Sequence, residues 1–178
     1  LILSWIAFLN NLGNIGLLDK TEPMFVEAAR QMLITGDWIT PYWNGETRFD
    51  KPPLSYWLMA IAFKIFGINE WTARIPSALM AIAMTALAFW TLRQVGFASP
   101  SIQNKPDSQR HLWLSAWIGT AIITLNFPII AWARTGVSDM FLAASMSMAL
   151  FSFFLGYTRA GNGKEETKKG LFVIPNRW

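Results

Sequence analysis

The sequence has no cysteine and a single histidine, His111. The first absence excludes disulfides and thiolate metal sites, although it does not fix the redox compartment. The second leaves no histidine pair at metal-ligand spacing, so His111 reads as a solvated side chain. Charge is also scarce: Asp, Glu, Lys and Arg make up 15% of the chain, against about 25% in ordinary soluble domains. Neither a glycine-rich phosphate loop, nor a Ser/His/Asp set, nor a nucleic-acid-binding motif is present. What fills the chain instead is 53% hydrophobic residues, with 10 Trp and 13 Phe. That composition belongs to the lipid bilayer, and the aromatic residues fit membrane interfaces better than base stacking.

Read in order, residues 1–18 are apolar but carry Asn10, Asn11 and Asn14. A crossing needs roughly 20 apolar residues, so this stretch is the tail of a first span. The chain opens on Leu1 inside an apolar run and stops at Trp178 without a closing signal, which is what a fragment of a longer protein would show. Thr21-Glu22-Pro23 opens a short amphipathic helix in which Thr21 can cap, and Gly36 ends it. Pro41 and Asn44-Gly45 mark a loop. Lys51-Pro52-Pro53 precedes a second short helix from Leu54 to Phe66, ending at Gly67. The short helices are expected at the membrane surface. Further spans are expected at 71–92, 113–130 and 140–157, joined by a polar loop from Arg93 to Leu112 and a tight return from Ala131 to Asp139. The expected class is all-α, a polytopic membrane protein with about four transmembrane helices and an outer loop over 19–70.

Orientation follows from the Lys/Arg bias. The 93–112 loop and the tail after Tyr157 carry Arg93, Lys105, Arg110, Arg159, Lys164, Lys168, Lys169 and Arg177 against Asp107, Glu165 and Glu166. The 19–75 region balances its cations with as many carboxylates and one more. The basic loops are therefore expected in the cytoplasm, the acidic loop outside, and the protein in the plasma (inner) membrane.

Carboxylates at a membrane edge are functional suspects. Asp19 and Glu22 stand at the entry to the first outer helix, and Asp139, preceded by Arg134, at the outer end of the last two spans. Each can equally serve as a helix cap, and capping and catalysis are not exclusive. Asp50-Lys51 stands before two prolines, which keep the preceding backbone extended. An aimed lysine there suits a phosphate as a point charge, while the plainer reading is a snorkelling interface lysine.

The run TEPMFVEAARQMLITGDWITPYWNGETRFDKPPLSYW resembles the first periplasmic loop of bacterial GT-C glycosyltransferases. These include the aminoarabinose transferases of lipid A and the dolichyl-phosphate-mannose protein mannosyltransferase-like group. ARIPSAL at 73–79 and AR-x-x-x-x-D-M at Arg134–Met140 fit the same family. The resemblance makes the chain the N-terminal part of a GT-C transmembrane domain over 1–178. It implies an enzyme that takes a sugar from a polyprenyl-phosphate carrier and passes it to a lipid, protein or glycan acceptor on the outer face. It further implies catalytic roles for Asp19, Glu22 and Asp139, and substrate binding by Lys51, Arg134 and Tyr56. Asp50 occupies the place of an acidic residue that helps bind a metal in some relatives, so a divalent ion is the cofactor the resemblance allows. Many relatives have Asp directly before the Glu, where this chain has Thr21. The base can then be Asp19 or Glu22. The competing reading is a transporter or channel fragment whose outer carboxylates line an ion path; it predicts charged pairs within spans and helices broken at the midplane.

Overall fold

The computed structural model describes residues 2–17, 20–95 and 108–171. Seven helices and one small hairpin are found among them: α1 (Ile2–Phe8), α2 (Thr21–Thr35), β1 (Tyr42–Trp43), β2 (Glu46–Thr47), α3 (Leu54–Phe66), α4 (Glu70–Val95), α5 (Ser108–Thr124), α6 (Phe127–Ala133) and α7 (Asp139–Leu171).

Helix α4 is the hub, packing against α1, α3, α5, α6 and α7. Its buried side is a row of small residues, Ala73, Ser77, Ala78, Ala81, Thr85 and Ala88. At three- and four-residue spacing these let neighbouring helices approach closely, as lipid-embedded helices require. The helix starts where Asn69 Oδ1 accepts the Thr72 N–H at 2.8 Å and the Thr72 hydroxyl at 3.0 Å, an ordinary side-chain cap. One apolar cluster joins Phe8, Leu12, Ile75, Ala78, Met84, Ala133 and Met140 between α1, α4, α6 and α7. The opposite sides of α5 and α7 expose Leu114, Trp117, Ile118, Ile122, Leu142, Leu150 and Phe153. That is the surface a bilayer, rather than water, would cover.

Helices α2 and α3 form a separate pair over the start of α4. Phe25, Ala28, Ala29 and Met32 of α2 meet Tyr56, Met59, Ala60 and Phe63 of α3, with Ala73 below. The chain leaves α2 at Gly36, whose N–H closes on the Met32 carbonyl at 3.1 Å. Lys20 takes the N-cap position without a side-chain cap bond, so Thr21 is the first helical residue rather than the cap. Between α2 and α3, Tyr42 pairs with Thr47 and Trp43 with Glu46. The turn uses Asn44 at φ 51 and Gly45 at φ 82, the left-handed pair that a two-residue hairpin needs.

The spans differ from expectation at three places. Two helical stretches are long and apolar enough to cross a membrane, Glu70–Val95 and Asp139–Thr158. The expected 113–130 span is a broken pair: α5 and α6 meet at a 64° bend, the shape of a broken span or of a re-entrant loop. Pro128, in the first turn of α6, has no N–H to donate to the Thr124 carbonyl, and the backbone at Asn126 is extended, so the chain restarts its helix there. The 1–18 stretch is helical only from Ile2 to Phe8 and then turns, with Asn11 at φ 54. Asn and Gly recur after Phe8, and both favour turns over helix. Helix α7 also continues past 157, to Leu171.

Candidate functional site

The turn that follows α1 is held by two arginines. Arg74, in the first turns of α4, is 2% exposed and pairs with Glu22 of α2, which is 1% exposed. Arg74 Nε donates to Glu22 Oε1 at 2.8 Å and Nη2 to Oε2 at 2.9 Å, a two-pronged contact. Nη1 donates to the carbonyls of Leu12 (2.9 Å) and Ile15 (2.8 Å), and Nη2 to that of Gly16 (2.9 Å). All five guanidinium N–H groups therefore have acceptors. Glu22 Oε1 also accepts the Gly136 N–H at 2.7 Å.

Gly136 belongs to the turn between α6 and α7, and Glu22 lies 114 residues before it. A Cβ at Gly136 would sit 3.3 Å from Glu22 Oε1, 3.2 Å from Met59 Cε and 3.4 Å from the Ala73 carbonyl. The same turn begins at Arg134, whose Nη1 donates to the carbonyls of Ala7 (3.2 Å) and Asn10 (2.8 Å) and whose Nη2 donates to Asn11 (3.2 Å). Cations at the carbonyl end of a helix satisfy groups the helix leaves open. A cavity of about 220 Å³ lies between the two arginines, bordered by Leu12, Ile15, Ala131 and Thr135. A larger one, about 430 Å³, lies between α1, α4 and α5 around the Ser4–Thr85 contact. Thr85 is 11 residues along α4 from Arg74, about 16 Å at helical rise, so that apolar space is well away from the carboxylates.

The residues singled out in the sequence fall into three places. Glu22, Arg134 and Asp139 converge on the α6–α7 turn. Asp139 is the first residue of α7 and is exposed. Lys51 and Asp50 lie in the exposed approach to α3. Asp50 accepts Arg48 Nη2 at 2.8 Å, and that hydrogen bond holds its carboxyl below the ordinary value. Arg48 in turn donates to the Met24 sulfur and lies over the Trp43 ring, 6.0 Å from its centroid. Tyr56 is packed in the α2–α3 core, 1% exposed and 5.1 Å from the Phe25 ring; burial pushes its hydroxyl pKa up. Asp19 lies outside the described residues. Among the described residues no three His, Cys, Asp or Glu side chains are grouped to hold a metal ion, so Asp50 gains no ligand set there.

Sequence reasoning missed Arg74 and Gly136. Arg74 was legible only as a cation at the outer end of a span. A buried arginine needs a partner, and the acidic loop before it supplied several.

Residues 50–100 match the sequence model of the family described as dolichyl-phosphate-mannose-protein mannosyltransferase. An uncharacterized protein of Aquifex aeolicus (strain VF5) is 28% identical over 154 residues, covering 86% of this chain and 28% of that protein. The undecaprenyl phosphate-alpha-4-amino-4-deoxy-L-arabinose arabinosyl transferase of Pseudomonas savastanoi pv. phaseolicola is 35% identical over 100 residues, covering 53% of this chain and 19% of that enzyme. The crystal structure of ArnT from Cupriavidus metallidurans in the apo state shares the fold with a TM-score of 0.50 at 19% identity, over 99% of this chain and 43% of that one. The chain thus spans about a third or less of the length of the curated relatives it matches. In sequence and in helical fold the chain is similar to the undecaprenyl-phosphate aminoarabinose transferases and, over residues 50–100, to the protein mannosyltransferases.

Proposed function

We propose that the protein moves a sugar from a polyprenyl-phosphate carrier to a lipid, protein or glycan acceptor at the outer face of the membrane. The observation that carries this reading is the meeting of Glu22 with the turn that leads into Asp139. Two carboxylate-bearing segments far apart in sequence are brought to one end of the helix bundle, as a transferase pocket requires. In the reaction the acceptor hydroxyl oxygen bonds to the anomeric carbon while the bond from that carbon to the phosphate oxygen breaks. The phosphate leaves with the electron pair, and a carboxylate of the Asp139, Asp19 and Glu22 group takes the hydroxyl proton. Such general-base help is typically worth about 10²–10⁴ in rate. Lys51, exposed ahead of α3, supplies a point charge for the departing phosphate. Arg134 braces the turn, its Nη groups being directed to backbone carbonyls.

The broken α5–α6 pair is a feature that a transporter would share. Yet no charged residue lies between His111 and Arg134, so the break lacks the charged pairs within spans that the transporter reading predicts. Asp139→Asn tests the transferase reading in the intact, reconstituted protein, because Asn caps a helix nearly as well as Asp. Turnover with a lipid-linked sugar should fall at least about 10²-fold at unchanged thermal stability. Near-normal turnover would reduce Asp139 to a cap.

A further inference from the structure

Glu22 and Arg74 are the charged side chains among the described residues that are fully buried. A buried ion pair is weak evidence for stability, since apolar residues of similar size commonly serve as well. Its distinctive property is geometric: five N–H groups and a carboxylate fix whatever they touch. Here they touch three separate pieces of chain, namely the carbonyls of Leu12, Ile15 and Gly16, the start of α2, and the Gly136 N–H.

The third of these contacts bears on the site. The turn from Arg134 to Ser138 is anchored twice, by the Arg134 guanidinium on the end of α1 and by Gly136 on Glu22. Val137 packs against the α2–α3 cluster. The next helical residue is Asp139. A Cβ at 136 would press on Glu22 Oε1, Met59 Cε and the Ala73 carbonyl, so a larger residue there must displace the turn or its neighbours by a few tenths of an ångström. Glu22 is therefore engaged by the arginine on one side and by the turn on the other.

We propose that Arg74, acting through Glu22 and Gly136, is a positioning residue that sets the place of Asp139 relative to the entry of α2. On this assignment Glu22 holds the turn and does not take the proton, which falls to the aspartates. The catalytic half of the assignment rests on the transferase reading; the geometric half does not. A displacement of about 1 Å at a reacting group can cost about 10²-fold in rate, so a clasp of this kind acts on turnover rather than on donor affinity.

The absence of cysteine from residues 1–178, with any cysteine elsewhere in the intact protein replaced by serine, allows a direct test. Ser138→Cys places one thiol between Gly136 and Asp139, and Asn44→Cys places a control thiol at the hairpin turn. Labelling rates with a small water-soluble maleimide are measured in the intact detergent-solubilised protein, alone and with Arg74→Lys, Gly136→Ala or both. Arg74→Lys and Gly136→Ala should each speed labelling at 138 by about tenfold, as expected for local opening, and leave the rate at 44 unchanged. Without the thiol they should lower kcat about 10²-fold with the donor KM within about twofold. The double variant should be little worse than either single one, because both act on one contact. Gly136→Ala keeps both charges in place and reports even if Arg74→Lys fails to fold. Unchanged labelling at 138 in both variants would overturn the clasp, even if transfer fell. Faster labelling in a protein that shows no transfer at all would keep the clasp and remove the transferase reading.

Discussion

An arginine in an apolar helix must either reach water with its head group or find acceptors for five N–H groups. Arg74 does the second, and three of its acceptors are backbone carbonyls of residues 12–16. No periodicity marks a carbonyl as a partner, which is why sequence reasoning reached Glu22 but not the residue that holds it. Lys51 presents the opposite case, since its place before two prolines was legible and the structure leaves it exposed. Lys51→Ala should reduce transfer from a polyprenyl-phosphate sugar at least about tenfold, as loss of a charge-assisted phosphate contact would. Lys64→Ala, in the last turn of α3, should change it less than about twofold. Equal effects in the reconstituted protein would make Lys51 a membrane anchor. Asp37 gives a pH marker outside the site. It accepts the N–H groups of Ile39 at 2.9 Å and Thr40 at 3.1 Å, and these bonds hold its carboxyl below the ordinary value. A depressed folded-state pKa means that the turn is supported above the unfolded value of 3.8 and loses that support as pH falls through the folded one. Amide exchange at Ile39 should speed up over that acid range and stay level in Asp37→Asn.

At the level of elements, legibility followed local chemistry. The helix from Leu54 to Phe66 was readable because prolines precede it and Gly67 follows. The start and end of α2 were readable from Thr21-Glu22-Pro23 and Gly36. The early end of α1 was marked only by the Asn and Gly residues after Phe8, and the turn they form is held by Arg74 and Arg134, which arrive from elements tens of residues away. The bend at Asn126 was hidden for a different reason: the apolar run continues through it, and only Pro128 marks the break. The α2–α3 pair depends on apolar packing, so Phe25→Ala should destabilise it by about 3–5 kcal/mol. Protease cleavage within 20–66 should quicken while the spans stay protected. If cleavage there were unaffected, the pair would be held by the membrane and not by its own core.

For the molecule as a whole, the outward placement of the 19–70 region rests on the Lys/Arg bias and is open to a direct check. Cysteines at Asn44 and Asn104 should differ when intact cells meet a membrane-impermeant thiol reagent, with Asn44 labelled and Asn104 protected. The reverse would put the carboxylates inside and remove an outer-face reaction. The membrane class, the general form of the bundle and the return of Glu22 and Asp139 to one membrane face were legible in composition and in apolar runs; the Glu22–Gly136 contact that joins their segments was not, because a backbone N–H has no sequence signature.

The central claim is that this bundle, in its intact protein, breaks the bond between a sugar and a polyprenyl phosphate. Purified protein in liposomes, supplied with a polyprenyl-phosphate sugar and an acceptor extract, can be followed by the polyprenyl phosphate it releases. One carrier phosphate should appear for each sugar transferred, and Asp139→Asn should suppress both together by at least about 10²-fold. Donor that stays intact, with acid or salt crossing the liposome membrane through the protein, would contradict the account and favour an ion path.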